Sequence, residues 1–397
     1  MLELLNNAEP MTPFRFAQMP AIEFGWGCTD SRLAESILAQ TQKRLMLISS
    51  GYADQHFVAP RLADVFAQRE VHRVIVRGEP SPAMVDKLVA DAPQDIELVI
   101  GFGGGSVLDA AKAVAGLLPE RYSVVDYLEG VGCGRQLQQN PVPFIAVPTT
   151  AGTGSETTKN AVISKLGEYK KSFRDDQLLA KQAWLDPAFL PHCPNSVLYP
   201  TAMDALTQLL ESYVTLKANP MTDALAWQGI QLFHGALEMI EAEDEATKQQ
   251  GYGRLLLAAS FSGMTLANAG LGAVHGLAGP IGAFFEASHG LVCAKLLAPI
   301  TRLNIEALLA SSAPQAAVTL AKYSQVAELL TGSPELAGLL MALQNLVDDK
   351  IPQGLAVFGL NQATLNPVIE NCRAGSMLGN PVVLSDQALT QAILEAL

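Results

Sequence analysis

The stretch Ile96–Leu118, IELVIGFGGGSVLDAAKAVAGLL, decides the fold. An apolar run ends at Ile100, glycines occupy positions 101, 103, 104 and 105, and a helical pattern opens at Ser106. Glycine admits the unusual dihedrals and close backbone approach that a phosphate needs. The helix N-terminus that follows supplies free N–H groups and the positive end of a dipole. This order of strand, loop and helix favours a pyrophosphate ligand, although a glycine cluster at a tight turn also has a purely structural reading. The dinucleotide fingerprint G-x-G-x-x-G is incomplete, because Ser106 stands at the third glycine. Asp126, about 20 residues further on, lies in SVVDYLEG, which does not read as a second buried strand. It reads as a surface residue.

Outward from this segment, the apolar runs Leu45–Ile48, Val74–Val76, Leu98–Ile100 and Phe144–Val147 suit strands buried on both faces of a parallel sheet. Amphipathic segments such as Ala83–Ala90 lie between them, and this alternation predicts a doubly wound α/β unit. Ala161–Ser164, with Gly167 and Lys170, reads as a strand and turn continuing that unit. The segment PHCPNSVLYP (191–200) carries three prolines and reads as a boundary or stiff linker. Helical patterns follow at Ala202–Leu216, Thr222–Ala242, Gly251–Ala269 and Ala316–Leu330. The expected organisation is α/β plus all-α, with an α/β domain over residues 1–190 and a helical domain over 191–397.

The chain has 397 residues, with 26 Lys+Arg against 39 Asp+Glu and a net charge of −13. Its 49% apolar and 16% charged composition suits a packed globule. The acidic balance argues against a nucleic-acid partner, whose phosphates need cations, and against a polybasic membrane role. The most apolar stretch, about Leu266 to Ile300, is interrupted by His275, Pro280, Glu286 and His289, so it does not read as a membrane span. The N-terminus shows no basic region followed by an apolar one, and the five cysteines are scattered without a CxxC pair. These features point to a cytoplasmic protein.

Two further segments carry chemistry. Thr149–Thr158, TTAGTGSETT, follows an apolar run and is rich in hydroxyls. Strand C-terminal ends are where open α/β sheets bind ligands, so this loop could hold ribose, phosphate or a nicotinamide amide. An ordinary helix start capped by Ser155 or Thr153 is the other reading. In the helical half, Asp204 falls on the apolar side of its helix beside Met203, Leu206 and Leu210. Burying that carboxylate without a partner costs several kcal/mol, a penalty a cation would remove. Gln208 lies one turn on and faces the same way. His275 and His289 sit 14 residues apart in a glycine-punctuated apolar segment. One carboxylate and two imidazoles suit Zn²⁺ with an open position, or Fe²⁺, although lone core histidines are common.

Taken together, GGGSVLDAAKA (Gly103–Ala113), PTTAGTGSETT (Pro148–Thr158), Lys170, TAMDALTQLLESY and HGLAGPIGAFFEASHG (His275–Gly290) resemble the iron-containing (group III) alcohol dehydrogenases along nearly the whole chain. The resemblance implies a dehydroquinate synthase-like fold, in which a nucleotide-binding α/β domain faces a helical metal-binding domain across a cleft. It implies that Gly103, Gly104, Gly105 and Ser106 hold the cofactor pyrophosphate, that Asp109 supports their loop, that Thr149 and Thr150 line the nicotinamide side, and that Lys170 approaches ribose. It places the ligands of a divalent metal, Fe²⁺ or Zn²⁺, at Asp204, Gln208, His275 and His289.

Three positions depart from the family pattern. Gln208 stands where a third histidine is usual, and Gly279 stands where another histidine often lies near the nicotinamide. Ser49, Ser50 and Gly51 end the first strand where many NAD-preferring relatives carry an aspartate, so NADP is as well accommodated as NAD. The expected activity is a metal-dependent, NAD(P)-linked hydride transfer between nicotinamide and a small alcohol or aldehyde, with Phe284 and Phe285 as apolar walls. A dehydroquinate-synthase-like lyase and a glycerol-dehydrogenase-like polyol oxidoreductase are the alternatives. Family analogy implies a homo-oligomer, in the first place a dimer.

Overall fold

The computed structural model describes residues 13–30 and 32–397. Its strands are β1 (Ala21–Phe24), β2 (Arg44–Ser50), β3 (Glu70–Val76), β4 (Leu98–Gly103), β5 (Phe144–Pro148), β6 (Asn160–Lys165), β7 (Tyr169–Arg174) and β8 (Gln182–Leu185). Every residue of β4 and β5 is buried, as expected of strands with packing on both faces. The main sheet has six strands in the order β1-β8-β5-β4-β2-β3, and all its pairs are parallel.

Successive residues of β2 point to opposite faces and enter different cores. Met46 and Ile48 pack with α3 (Pro82–Asp91) and α4 (Gly105–Leu117), contributing Val85 and Leu108 among others. Leu45 and Leu47 pack with Leu33 of α1 (Arg32–Leu38) and Leu62 of α2 (Ala59–Gln68). The strand order reverses between β2 and β4, and the glycine loop leaves the carboxyl end of β4 beside that point. Ligands bind in this crevice in open α/β sheets.

The sequence placed β2, β4 and β5 well, but other expectations need correction. Val74–Val76 belongs to an edge strand, and only Val76 of β3 is buried. The expected strand and turn at Ala161–Lys170 are there: β6 and β7 form an antiparallel hairpin that turns at Gly167 (φ +76°) and packs Ala161, Ile163 and Phe173 into the same core as Met46 and Ile48. PHCPNSVLYP is no linker: Pro187–His192 is a 3-10 turn, and α5 (Asn195–Val214) already runs through Pro200.

The helical half also contains α6 (Pro220–Phe233), α7 (Glu245–Ala269), α8 (Ala273–Phe285), α9 (His289–Leu309), α10 (Pro314–Thr331), α11 (Leu336–Lys350) and α12 (Asp386–Glu395), all contributing to one apolar core. The expected helix Thr222–Ala242 is split. Asn219 caps α6 in a reciprocal capping box, and Gly235 at φ +75° separates it from a short helix at Ala236–Ile240. Among the described residues, no single helix is long and apolar enough to cross a membrane.

Two close approaches position the site. A Cβ on Gly290 would stand 2.5 Å from the Pro200 carbonyl oxygen, so glycine lets α9 press against α5 and brings His289 towards Asp204. Where the polar loop crosses α7, a Cβ on Gly263 would stand 2.2 Å from the Gly154 carbonyl oxygen. The hairpin tip reaches α8, with the Gly167 N–H donating to the Ala283 carbonyl at 2.8 Å.

Candidate metal and dinucleotide site

The glycine loop packs against the polar loop that follows β5. A Cβ on Gly105 would lie 2.6 Å from Thr153 Oγ1, and one on Gly103 would lie 2.7 Å from Val107 Cγ2. These glycines therefore have a packing reason as well as any ligand reason. No side chain caps α4, whose first residues Gly105 and Ser106 line the central cavity. Such an uncapped N-terminus suits an anion. The polar loop forms no α-helix start: Ser155–Thr157 is one 3-10 turn, although the Ser155 N–H does donate to Thr153 Oγ1 at 3.2 Å.

Asp109 ties the two loops together. Its Oδ1 accepts from Ser155 Oγ at 2.6 Å and its Oδ2 from the Val162 N–H at 3.0 Å. Beneath it lies Lys112, part of the GGGSVLDAAKA motif but without a role legible in the sequence. Its Nζ donates to the Ser155 carbonyl (2.7 Å), Thr158 Oγ1 (2.7 Å) and the Asn160 carbonyl (2.8 Å). Burial lowers its pKa to about 8, against the pull of Asp109 and Glu156. Glu156 is 2% exposed, its Oε1 has no hydrogen-bond partner, and burial raises its pKa to about 7.

The second cluster lies across the cavity. Asp204 is 1% exposed, and its Oδ1 lies 3.1 Å from His275 Nε2 and 3.8 Å from His289 Nε2. Glu211, one helical turn beyond Gln208, accepts from His275 Nδ1 at 2.7 Å and from the Val274 N–H at 2.7 Å. This bond directs the other ring nitrogen of His275 at Asp204. Burial opposes protonation of His275, but Cys293, Asp204 and Glu211 outweigh it and raise its pKa well above the ordinary value. Burial pushes His289 down to about 4 despite Asp204, leaving a neutral imidazole with a free lone pair. Burial also opposes ionisation of Asp204, yet the two histidines hold its pKa at about 2. Gln208 faces Asp204, with its Nε2 3.4 Å from Oδ1, while its Oε1 accepts from Ser262 Oγ at 3.1 Å.

Cys293 joins this cluster, unsingled by the sequence reading. Its Sγ lies 3.6 Å from His275 Nε2 and 3.7 Å from His289 Nε2. The available signal was its i+4 position after His289 on one helix face. Asp204, His275, His289 and Cys293 each offer a donor atom, and all four atoms lie within 4.8 Å of one another. A buried carboxylate and inward-facing imidazole nitrogens are the donors a divalent cation takes, so the residues present fit a metal.

A cavity of about 340 Å³ connects the two clusters. Gly105, Ser106, Asp109 and Lys170 line it from the α/β side, and Gln208, His275 and His289 from the helical side. Lys170 Nζ pairs with Glu79 Oε1 at 2.5 Å. Gly103, Gly104, Thr149 and Thr150 do not line this cavity, although the Thr149 N–H donates to the Gly103 carbonyl at 3.0 Å; Thr153 lines it. Phe284 and Phe285 are not its walls: neither lines it, Phe285 packs on the helical core, and Leu266, Leu271 and Pro280 give the apolar lining from α7 to α8. Gly279 does open space: a Cβ there would meet only the Lys170 carbonyl oxygen, at 3.9 Å.

Residues 20–187 match the family described as iron-containing alcohol dehydrogenase, and residues 199–397 match the C-terminal region of the Fe-containing alcohol dehydrogenase family. The chain is 36% identical over 295 residues to long-chain-alcohol dehydrogenase 1 of Geobacillus thermodenitrificans, covering 72% of each chain. It is 30% identical over 292 residues to alcohol dehydrogenase 4 of Saccharomyces cerevisiae, covering 72% of this chain and 75% of that one. A crystal structure of 1,3-propanediol oxidoreductase superposes with a TM-score of 0.85 and 25% identity, covering 97% of this chain and 100% of the other. The protein belongs to the iron-containing alcohol dehydrogenase family.

Proposed function

We propose that Asp204, His275 and His289 hold a divalent cation, Fe²⁺ or Zn²⁺, beside a dinucleotide anchored on the loop from Gly103 to Ser106. The chain is a metal-dependent, NAD(P)-linked alcohol dehydrogenase or aldehyde reductase acting on a CH–OH group. The observation that carries the site assignment is the convergence of one buried carboxylate with two imidazole Nε2 atoms whose rings line the cavity.

When bound, the cation supplies Lewis-acid polarisation of the substrate oxygen, and the nicotinamide supplies the hydride donor or acceptor. Each protein group then has a distinct task. Asp204 offers its negative charge from the buried side. Glu211 keeps the His275 proton on Nδ1 and so leaves Nε2 a donor for the cation. Gln208 holds Asp204 through its amide N–H and serves as a positioning residue. Asp109 and Lys112 lock the polar loop against α4, which keeps the phosphate-facing N-terminus open. Leu266, Leu271 and Pro280 exclude water on the helical side of the cavity.

The same reading assigns residues 1–190 to dinucleotide binding and 191–397 to metal and substrate. It also has Thr149 and Thr150 lining the nicotinamide side and Lys170 approaching ribose. The substrate is a small alcohol or aldehyde, and the branch is one with glutamine at 208 and glycine at 279. The protein works in the cytoplasm as a homodimer, a state supported by Ile22 and Phe24, which are exposed on the edge strand β1.

The test is Asp204→Ala. It should abolish bound metal and aldehyde reduction while NAD(P)H fluorescence still reports dinucleotide binding. Full turnover in this variant would refute the assignment.

A further inference from the structure

The glutamine at 208 leaves the metal site one strong donor short, and the structure supplies another atom. Gln208 turns its amide N–H to Asp204, with its Oε1 3.1 Å from Ser262 Oγ on the other side. Cys293 rises from α9 one turn beyond His289, and its thiol is fully buried. We propose that Cys293 is the fourth protein ligand of the cation, giving a site of one carboxylate, two imidazoles and one sulfur. This rests on the metal reading of Asp204, His275 and His289 given above.

The spacing supports it quantitatively. Tetrahedral Zn²⁺ with bonds of about 2.3 Å to sulfur and about 2.05 Å to nitrogen places those two donors about 3.6 Å apart. The Cys293 Sγ distances to His275 Nε2 and His289 Nε2 are 3.6 and 3.7 Å. Sulfur thus already occupies one vertex relative to both imidazoles. The arrangement also keeps the cavity clear. His275 and His289 line the cavity, whereas Cys293 and Asp204 do not, so the sulfur approaches from the buried side. The cavity side of the cluster, lined by His275 and His289, is where a bound cation would meet a substrate oxygen.

In forming the bond, the Sγ–H proton leaves to solvent and the sulfur electron pair goes to the cation; no oxidant or reductant takes part. A thiolate donor shifts selectivity away from hard, all-oxygen ions and towards Zn²⁺ and its spectroscopic surrogate Co²⁺.

The experiment is Co²⁺ loading of the full chain, read by absorption. Wild type should show a near-ultraviolet sulfur-to-cobalt charge-transfer band together with visible ligand-field bands. Cys293→Ala and the more conservative Cys293→Ser should lose the charge-transfer band and bind Co²⁺ at least about tenfold more weakly. Both should keep ligand-field bands at saturating Co²⁺, which shows that the rest of the site is intact. Gln208→Ala should keep the charge-transfer band. A wild-type complex without that band, or a band that survives in both Cys293 variants, would overturn the proposal. Co²⁺ binding that does not depend on Asp204 would overturn the underlying metal reading instead, and this proposal with it.

Discussion

Glu211→Gln changes one atom in a buried side chain that touches neither cavity nor substrate, and should nonetheless weaken metal binding. The carboxylate accepts two hydrogen bonds, from the Val274 N–H and from His275 Nδ1, both at 2.7 Å. An amide can accept only at its oxygen end. If its nitrogen faces His275, it donates to Nδ1 and drives the imidazole proton to Nε2, where it points at the cation. If its nitrogen faces Val274, a buried N–H loses its acceptor, at about 1–3 kcal/mol. Loss of such an outer partner of a metal-bound histidine typically costs about 10–100-fold in affinity, or about 1.4–2.7 kcal/mol. The substitution is isosteric, so no cavity term is added. Chelator competition for Zn²⁺ on wild type and variant reads the ratio directly, with a denaturant melt of the metal-free forms as the control. Affinities within twofold would refute the role given to Glu211.

Glu156→Gln tests the buried carboxyl beneath the polar loop. Its folded pKa is about 7 against an ordinary 4.5, so the native state binds the extra proton and wild-type stability falls as pH rises from about 4.5 to about 7. The variant should match wild type near pH 4.5 and exceed it by up to about 3 kcal/mol at pH 8, as followed by urea unfolding; a pH-independent difference would count against the assignment. Lys112→Met should lower stability by about 3 kcal/mol, because three loop acceptors and the Asp109–Glu156 surroundings lose their cation; a melt within about 0.5 kcal/mol of wild type would show that the network holds nothing. Gly105→Val should weaken NAD(P)H binding more than tenfold by colliding with Thr153, while Zn²⁺ affinity stays unchanged. Unaltered NAD(P)H fluorescence titration would remove Gly105 from the dinucleotide site.

Local patterns carried much of this structure into the sequence. Apolar runs marked β2, β4 and β5 because both faces of a central parallel strand are buried, and the glycines after β4 marked the loop because no side chain fits there. Asp204 was legible because a carboxylate on an apolar helix face needs a partner. The rest depends on packing between distant segments. Strands β1 and β8 are only four residues long each, too short for a period to show. Val74–Val76 looked central because an edge strand can carry the same apolar residues. Phe284 and Phe285 looked like apolar walls, yet Phe285 packs against the core. Cys293 and Glu211 were missed for one shared reason. Helical spacing puts Cys293 on the face of His289, but only the crossing of α5, α8 and α9 brings either residue to the cluster.

A crystal soaked with Zn²⁺ and measured at the zinc absorption edge tests the central claim most directly. An anomalous peak at bonding distance, about 2.0–2.2 Å, from Asp204, His275 Nε2 and His289 Nε2 together is the predicted result. A peak elsewhere, or none at that cluster in a well-ordered crystal, would contradict the account.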